Sequence, residues 1–194
     1  EAHQKTREAT QLRLARRVGS EAHGSPGRMA KNFGEPKCLN AVAQFHRLFR
    51  VPVEPRPCIP DAKRAALRVA LIQEELDELR QSIQNNDLVE AADALADLQY
   101  VVSGAVLEFG MADKFKDVFD EVHRSNMSKA CETEEIAKAT VEHYARLEQP
   151  CSYQKVDGEW LVYRDSDNKV LKSVQYSPAD IQGTLEAGKE NETN

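Results

Sequence analysis

This chain lacks any apolar stretch long enough to cross a membrane. The uncharged run Leu98 to Leu107 falls far short of the roughly 18 to 20 apolar residues that a span needs, which predicts a soluble protein with no membrane partner. It lacks a basic excess. With 26 Lys and Arg against 32 Asp and Glu the net charge is -6, which argues against a broad nucleic-acid surface and leaves only local basic groups to hold a nucleotide. Cysteine is scarce and scattered. Cys38, Cys58, Cys131 and Cys151 form no CxxC pair and meet no histidine at zinc spacing, so they read as reduced thiols of an intracellular, cytoplasmic protein rather than as a zinc cluster or a disulfide framework. There is no internal repeat and no low-complexity tract. The 194 residues suffice for one ordinary domain with a real core, plus appendages.

Large apolar residues are also sparse in residues 1–37, where Gly19, Gly24, Ser25, Pro26, Gly27, Gly34 and Pro36 break any periodicity. The segment reads as a disordered extension. Arg7, Arg13, Arg16, Arg17 and Arg28 give it an organelle-presequence flavour, but Glu1, Glu8 and Glu21 count against targeting. A helical domain is expected over 38–149, a hairpin and short-helix appendage over 150–188, and a frayed tail over 189–194. The first helix runs from about Leu39 to Arg50 with Val42, Phe45, Leu48 and Phe49 as its core face. His46 among them reads as a packed residue rather than a ligand. Pro52, Pro55, Pro57 and Pro60 make the next stretch an extended connector. Asp61 stands where an N-cap belongs, opening a helix to about Gln84. Another helix runs from Asn86 or Asp87 to Glu108 and stops at Gly110, with Gly104 inside it marking close approach of another helix. Ala112 to Ser125 forms a fourth, with Phe115, Val118, Phe119 and Val122 inward, and Glu132 to Leu147 a less regular fifth. Asp157-Gly158 between two apolar runs is the strongest hairpin signal, and a last short helix begins at Ser177-Pro178.

The organising stretch is Leu71 to Tyr100. Glu74, Glu75 and Glu78 stand at i, i+1 and i+4 on one helix, and Glu90, Asp93 and Asp97 form an acidic stripe on the next. Like charges one turn apart repel. The short connector Gln84 to Asp87 forces the two helices antiparallel, which can bring both acidic sets together. A hard cation such as Mg²⁺ or Mn²⁺, which takes oxygen ligands and keeps positions open for phosphate and water, would offset the repulsion. The plainer alternative is a solvated acidic face balanced by Arg68 and Arg80. Arg68, nearly two turns before Glu74, points along the same line and serves either reading. Past the fourth helix, His123 to Lys129 is a compact donor-rich cluster, suited either to helix capping or to phosphate.

These residues resemble the all-α nucleoside triphosphate pyrophosphohydrolases, the superfamily of MazG, dimeric dUTPases and phosphoribosyl-ATP pyrophosphohydrolase. The superfamily pairs Glu-x-x-Glu on one helix with Glu-x-x-Asp on the next. Glu75-Leu76-Asp77-Glu78 matches the first half, and the blocks from Asp93 (DALADLQYVVSGAVLEFGM), Glu121 (EVHRSNMSKA) and Tyr176 (YSPADI) place the likeness in the MazG-like branch related to phosphoribosyl-ATP pyrophosphohydrolase. One position departs. Anchored on Asp97, the family's second-helix glutamate falls at Ala94, and Asp93 looks like its replacement; the other register, Glu90 to Asp93, puts the later blocks out of step.

The resemblance implies an all-α bundle of four to five helices with a small β-hairpin appendage. It implies Mg²⁺- or Mn²⁺-dependent hydrolysis of a nucleoside triphosphate to monophosphate and pyrophosphate, in nucleotide-pool sanitation. On that reading Glu75, Glu78, Asp93 and Asp97 are metal ligands, with Glu90 as an outer or third ligand. Glu74 orients or deprotonates the attacking water. Asn126 and Lys129 hold phosphates, with Arg124 and Arg68 as further candidates. The hairpin and the segment near Lys172 either close over the site or are a structural appendage. The wide apolar faces, and the family's habit, imply a homodimer or homotetramer. The nearest rival is phosphoribosyl-ATP pyrophosphohydrolase in histidine biosynthesis. A ferritin-like redox bundle ranks low because no Glu is followed three residues later by His. A non-enzymatic helical interaction module is the remaining rival.

Overall fold

Polar caps set the frame of the fold. In the computed structural model, which describes residues 33–187, helices α1 (Cys38–Phe49), α2 (Ala62–Asn85), α3 (Leu88–Glu108), α4 (Phe115–Met127) and α5 (Glu134–Ala145) precede strands β1 (Cys151–Val156) and β2 (Glu159–Arg164) and a short α6 (Ile181–Glu186). The expected all-α architecture with a small hairpin is what the chain adopts. The expected extension lies outside the described residues up to 32, and the frayed tail lies outside them altogether; residues 33–37 are irregular and exposed. None of the helices among the described residues is long and apolar enough to cross a membrane, and all four cysteines are free. The described chain divides into two compact units, 33–122 with 180–187, and 123–179.

In the first unit the side chain of Asp61 accepts from the amides of Lys63 and Arg64, starting α2 where the sequence placed it. Asn86, left-handed at φ 55°, turns its N–H back to Ile83 and Ser82 and ends that helix. Asp87 then caps α3 by accepting from Val89 and Glu90. Two residues therefore do the work of a loop. α2 and α3 make the most extensive packing between elements, and α1 lies on α3.

The centre of this unit is polar as well as apolar. Val42, Ala94, Val106 and Leu107 are buried, but so are His46, Arg68 and Glu108. Glu108 takes Arg64 Nε at 2.9 Å and is also bonded by the Arg64 and Arg68 Nη2 groups. Burial alone would push the Glu108 carboxyl up; the hydrogen bonds from Arg64 and Arg68 outweigh it and hold the group below the usual carboxylate range. His46 Nδ1 donates to the Pro52 carbonyl at 2.8 Å, and its burial, assisted by the charge of Arg68, lowers its pKa. Gly104 explains itself here. A Cβ on it would sit 2.7 Å from Arg68 Nη1 and 3.2 Å from His46 Nε2, so the close approach read from the sequence is that of two side chains from α2 and α1. Gly110, at φ +65°, has no room for a Cβ either, since one would fall 1.9 Å from the Arg56 carbonyl. The proline-rich connector is docked there, with Cys58 N bonded to Phe109 O and Glu54 N to Leu107 O, both at 3.0 Å.

Two expected core faces are corrected. On α1 the inward row is Val42 and His46, while Phe45, Leu48 and Phe49 are 39%, 75% and 61% exposed. On α4, Phe119 and Val122 are exposed. In each helix the larger apolar row faces away from the unit's own core, a surface that the described residues do not cover.

In the second unit, Cys131, Ala137, Val162 and Leu171 form a small core beneath the hairpin. Asp157 (φ 50°) and Gly158 (φ 98°) both take the left-handed conformation that a two-residue hairpin turn requires. The 169–174 segment runs along β2 at the Tyr163–Val170 bridge, with Leu171 N bonded to Val162 O at 2.8 Å and Arg164 N to Lys169 O at 2.9 Å. In the first unit, α6 begins at Ile181 rather than Pro178, because the Asp180 side chain accepts from Gly183 N at 2.9 Å and caps it.

Removing Glu108 leaves Arg64 and Arg68 facing each other without a counter-charge. Glu108→Ala is expected to cost about 3–5 kcal/mol of stability, the range for breaking one partner of a buried ion pair. A urea midpoint unchanged from that of the native protein would refute this.

Candidate metal and phosphate site

The acidic residues are placed by the register of the α2–α3 hairpin. Arg64 meets Glu108, and Gly104 admits Arg68. A step of four residues up α2 is thus matched by four down α3. A further step of seven on each helix, two turns, brings Glu75 opposite Asp97.

The electrostatics agree with that register. Partial burial raises the Glu75 carboxyl above the ordinary range, and the charges of Glu78, Asp97, Glu74 and Asp93 raise it further. Two acids from the same helix and two from its neighbour therefore act on one carboxyl group. Glu90 stands outside that set, nearer the turn, and is exposed. Ala94, where the superfamily glutamate would fall, is buried at 1% exposure and faces the core. Asp93, beside it, is exposed and acts on Glu75.

No lysine or arginine is bonded to Glu74, Glu75, Glu78, Asp93 or Asp97 among the described residues; Arg80, the nearest by sequence, is taken by Asp77. As placed, no three His, Cys, Asp or Glu side chains among the described residues gather at one point. The acids are within electrostatic reach of each other on two packed helices, and all but Glu75 are exposed and free to rotate. As a donor set of oxygen ligands with unrelieved negative charge, they fit a hard divalent cation.

The basic candidates fare differently. Arg68 is not placed to bind phosphate: it is buried against Glu108, and its Nε has no acceptor among the described residues. The other three belong to the 123–179 unit. Arg124 donates to Ser177 Oγ and Pro178 O, each at 3.0 Å, and Lys129 Nζ donates to Asn126 Oδ1 at 2.7 Å. Ser125 Oγ lies 2.9 Å from the Tyr176 hydroxyl, and Ser128 Oγ accepts from Ser177 N at 2.9 Å. Two sequence blocks some fifty residues apart are thus one hydrogen-bonded structure. Sequence reasoning did not identify Arg64 and Glu108, which lock the register, nor a cavity between α1 and α3 beside the acidic stripe. The only signal for the first was an acid in the last turn of an apolar helix.

Removing one acid should relieve the others. A carboxyl whose folded pKa is raised contributes stability below its unfolded pKa and loses it as pH rises through the folded one. In chelator at neutral pH, Glu78→Gln and Asp97→Asn should each raise the melting temperature slightly, while abolishing any stabilisation by added Mg²⁺ or Mn²⁺. Two variants less stable than the native protein in chelator would show that the acids do not repel.

Residues 42–126 match the family model described as phosphoribosyl-ATP pyrophosphohydrolase. The match contains all six acids, Arg124 and Asn126, and stops short of Lys129 and the hairpin. Uncharacterized protein L479 of Acanthamoeba polyphaga mimivirus is 25% identical over 247 aligned residues, covering 82% of this chain and 94% of that protein.

Proposed function

We propose that this chain, whose residues 42–126 match the phosphoribosyl-ATP pyrophosphohydrolase family model, hydrolyses a nucleoside triphosphate between its α and β phosphorus atoms, giving the monophosphate and pyrophosphate. The observation that carries the reading is that Glu74, Glu75 and Glu78 on α2 and Asp93 and Asp97 on α3 lie within electrostatic reach of one another, with no lysine or arginine bonded to them among the described residues. Glu75, Glu78, Asp93 and Asp97 would hold Mg²⁺ or Mn²⁺, with Glu90 outside them. The ion, when bound, neutralises phosphate charge and lowers the pKa of water. Glu74, on the neighbouring azimuth of α2, orients the attacking water and accepts its proton. Asn126, Lys129 and Arg124 are assigned to the phosphates from the resemblance. Holding the triphosphate in line is much of the catalysis in such a reaction.

A second reading has its own support, because the matched model is that of phosphoribosyl-ATP pyrophosphohydrolase. It keeps the same acids and bond cleaved but takes a nucleotide with a phosphoribosyl group on its base. Both readings are tested by pyrophosphate release from canonical, deoxy- and modified nucleoside triphosphates and from phosphoribosyl-ATP, with Mg²⁺ or Mn²⁺. Glu78→Gln and Asp97→Asn should reduce release at least as much as the 10–100-fold typical of losing a metal's outer-shell partner. Release that persists in both variants would exclude this site, and the substrate that is turned over decides between pool sanitation and a pathway step.

The exposed apolar rows of α1, α2 and α3, with Leu48, Val69, Ile83, Leu88 and Val89 among them, fit a homodimer or homotetramer. Sedimentation at micromolar concentration should give a multiple of the 21.8 kDa chain mass; a monomer would refute it.

A further inference from the structure

We propose that His46 is a proton-operated latch, which holds α1 and the proline-rich connector against the α2–α3 pair while neutral and releases them when protonated. The residue is 2% exposed and lies where those four segments meet. Its backbone carbonyl accepts from the amides of Arg50 and Val51, the latter at 2.8 Å, and so ends α1. Its ring Nδ1 lies 2.8 Å from the Pro52 carbonyl, at the start of the connector. Its Nε2 reaches the space over Gly104 of α3, where Arg68 of α2 also enters.

The bond to Pro52 fixes the chemistry of the ring. A carbonyl can only accept, so Nδ1 carries the hydrogen and the neutral ring presents a lone pair at Nε2. A proton on Nε2 puts a donor and a positive charge beside a guanidinium that is already there. The charges that face the ring are Arg64 and Arg68 from α2 and Glu108 from α3; the connector offers the Pro52 carbonyl, and α1 the Phe45 ring, edge-on at 6.4 Å. Glu108 is not at liberty to serve a third cation, because both of its oxygens are bonded by Arg64 and Arg68. Lifting α1 off the pair gives the charged ring the water that its packed site denies it.

Burial does most to weaken the ring's hold on a proton, and Arg68 and Arg64 add to it; the Pro52 bond and Glu108 oppose them without prevailing, so the closed form binds the proton less well than an ordinary imidazole of pKa 6.5. Once released, the ring regains the ordinary value. Release is therefore independent of pH above about 6.5. Below it the released form takes up the proton first, and the opening constant rises by up to about tenfold per pH unit until the closed form protonates too. The part set free is confined. The connector is held by two backbone bonds, Glu54 N to Leu107 O and Cys58 N to Phe109 O, while the α2–α3 packing is the most extensive between elements. Segments held by few contacts open locally, well before the whole unit does.

The test is amide hydrogen exchange, read by mass spectrometry on the full chain from about pH 8 to about pH 5, the range in which an imidazole titrates, and corrected for the intrinsic rate at each pH. Peptides covering residues 38–60 should exchange at least about tenfold faster at the acid end, while the middles of α2 and α3 keep their protection. His46→Asn, whose amide can still donate to the Pro52 carbonyl but takes no charge, should remove that acid step. Protection of 38–60 that does not change with pH, an acid step that persists in His46→Asn, or loosening of all the helices together overturns the latch. Should His46→Asn fail to fold, the titration of the His46 ring in the native protein, followed by nuclear magnetic resonance, decides. It should fall below the ordinary imidazole range and in step with the loosening of 38–60; a midpoint at or above about 6.5 overturns the proposal.

Discussion

Everything in the helical unit depends on the register between α2 and α3, and one buried ion pair fixes it. Glu108 sits in the last turn of α3, where the helix dipole disfavours an anion, and it is almost completely buried. Arg64 and Arg68, one turn apart on α2, offset both penalties. A slip of one turn would strip Glu108 of a partner and drive Arg68 against a side chain instead of Gly104. Buried ion pairs often add little net stability compared with an apolar contact. Their effect here is to make the alternatives expensive. The tight Asn86-Asp87 turn sets the same register from the other end, so the two constraints agree along the whole hairpin.

That register also creates the unfavourable part of the structure. The contact rows that carry Arg68 opposite Gly104 carry, two turns on, Glu75 opposite Asp97. The same packing that neutralises charge at one end concentrates it at the other, and the rise in the Glu75 carboxyl records the cost. The acids are therefore not a solvated face at its most relaxed. Helices joined by so short a turn cannot part to relieve them, so relief is left to rotation of the exposed side chains into solvent, to protonation or to a cation.

The helical frame was legible because each boundary has a local cause: Asp61 and Asp87 as caps, Gly110 as a left-handed stop, Asp157-Gly158 as a hairpin turn. The acidic pairing was legible because turn length and helical period together determine which faces meet. What was not legible is which apolar row faces inward. On α1 the aromatic row Phe45 and Phe49 is more hydrophobic than Val42 and His46, yet His46 is buried, because Nδ1 finds the Pro52 carbonyl and Nε2 the space over Gly104. Arg68 misled for the same reason. Its spacing from Glu74 was read along one helix, whereas its partner Glu108 lies 40 residues away on another. Hydrophobicity ranks rows; partners from distant sequence decide between them.

The Arg124 to Lys129 cluster shows how far the same argument carries into the second unit. Read alone, a run of donors after a helix is as much a cap as an anion site. In the structure Arg124, Ser125 and Ser128 are bonded to Tyr176, Ser177 and Pro178, so the cluster's shape is set by a segment outside the family match. Among the described residues the Lys129 and Asn126 side chains bond to each other, across one turn, and both are polar groups that an incoming phosphate could engage by replacing that bond. Arg124 would have to leave at least two acceptors to do the same. Among the three, Lys129 and Asn126 therefore carry the lower cost of turning to a ligand. The divided cluster also gives the 173–178 segment a definite physical role, which is to hold the helix end from which those two side chains project.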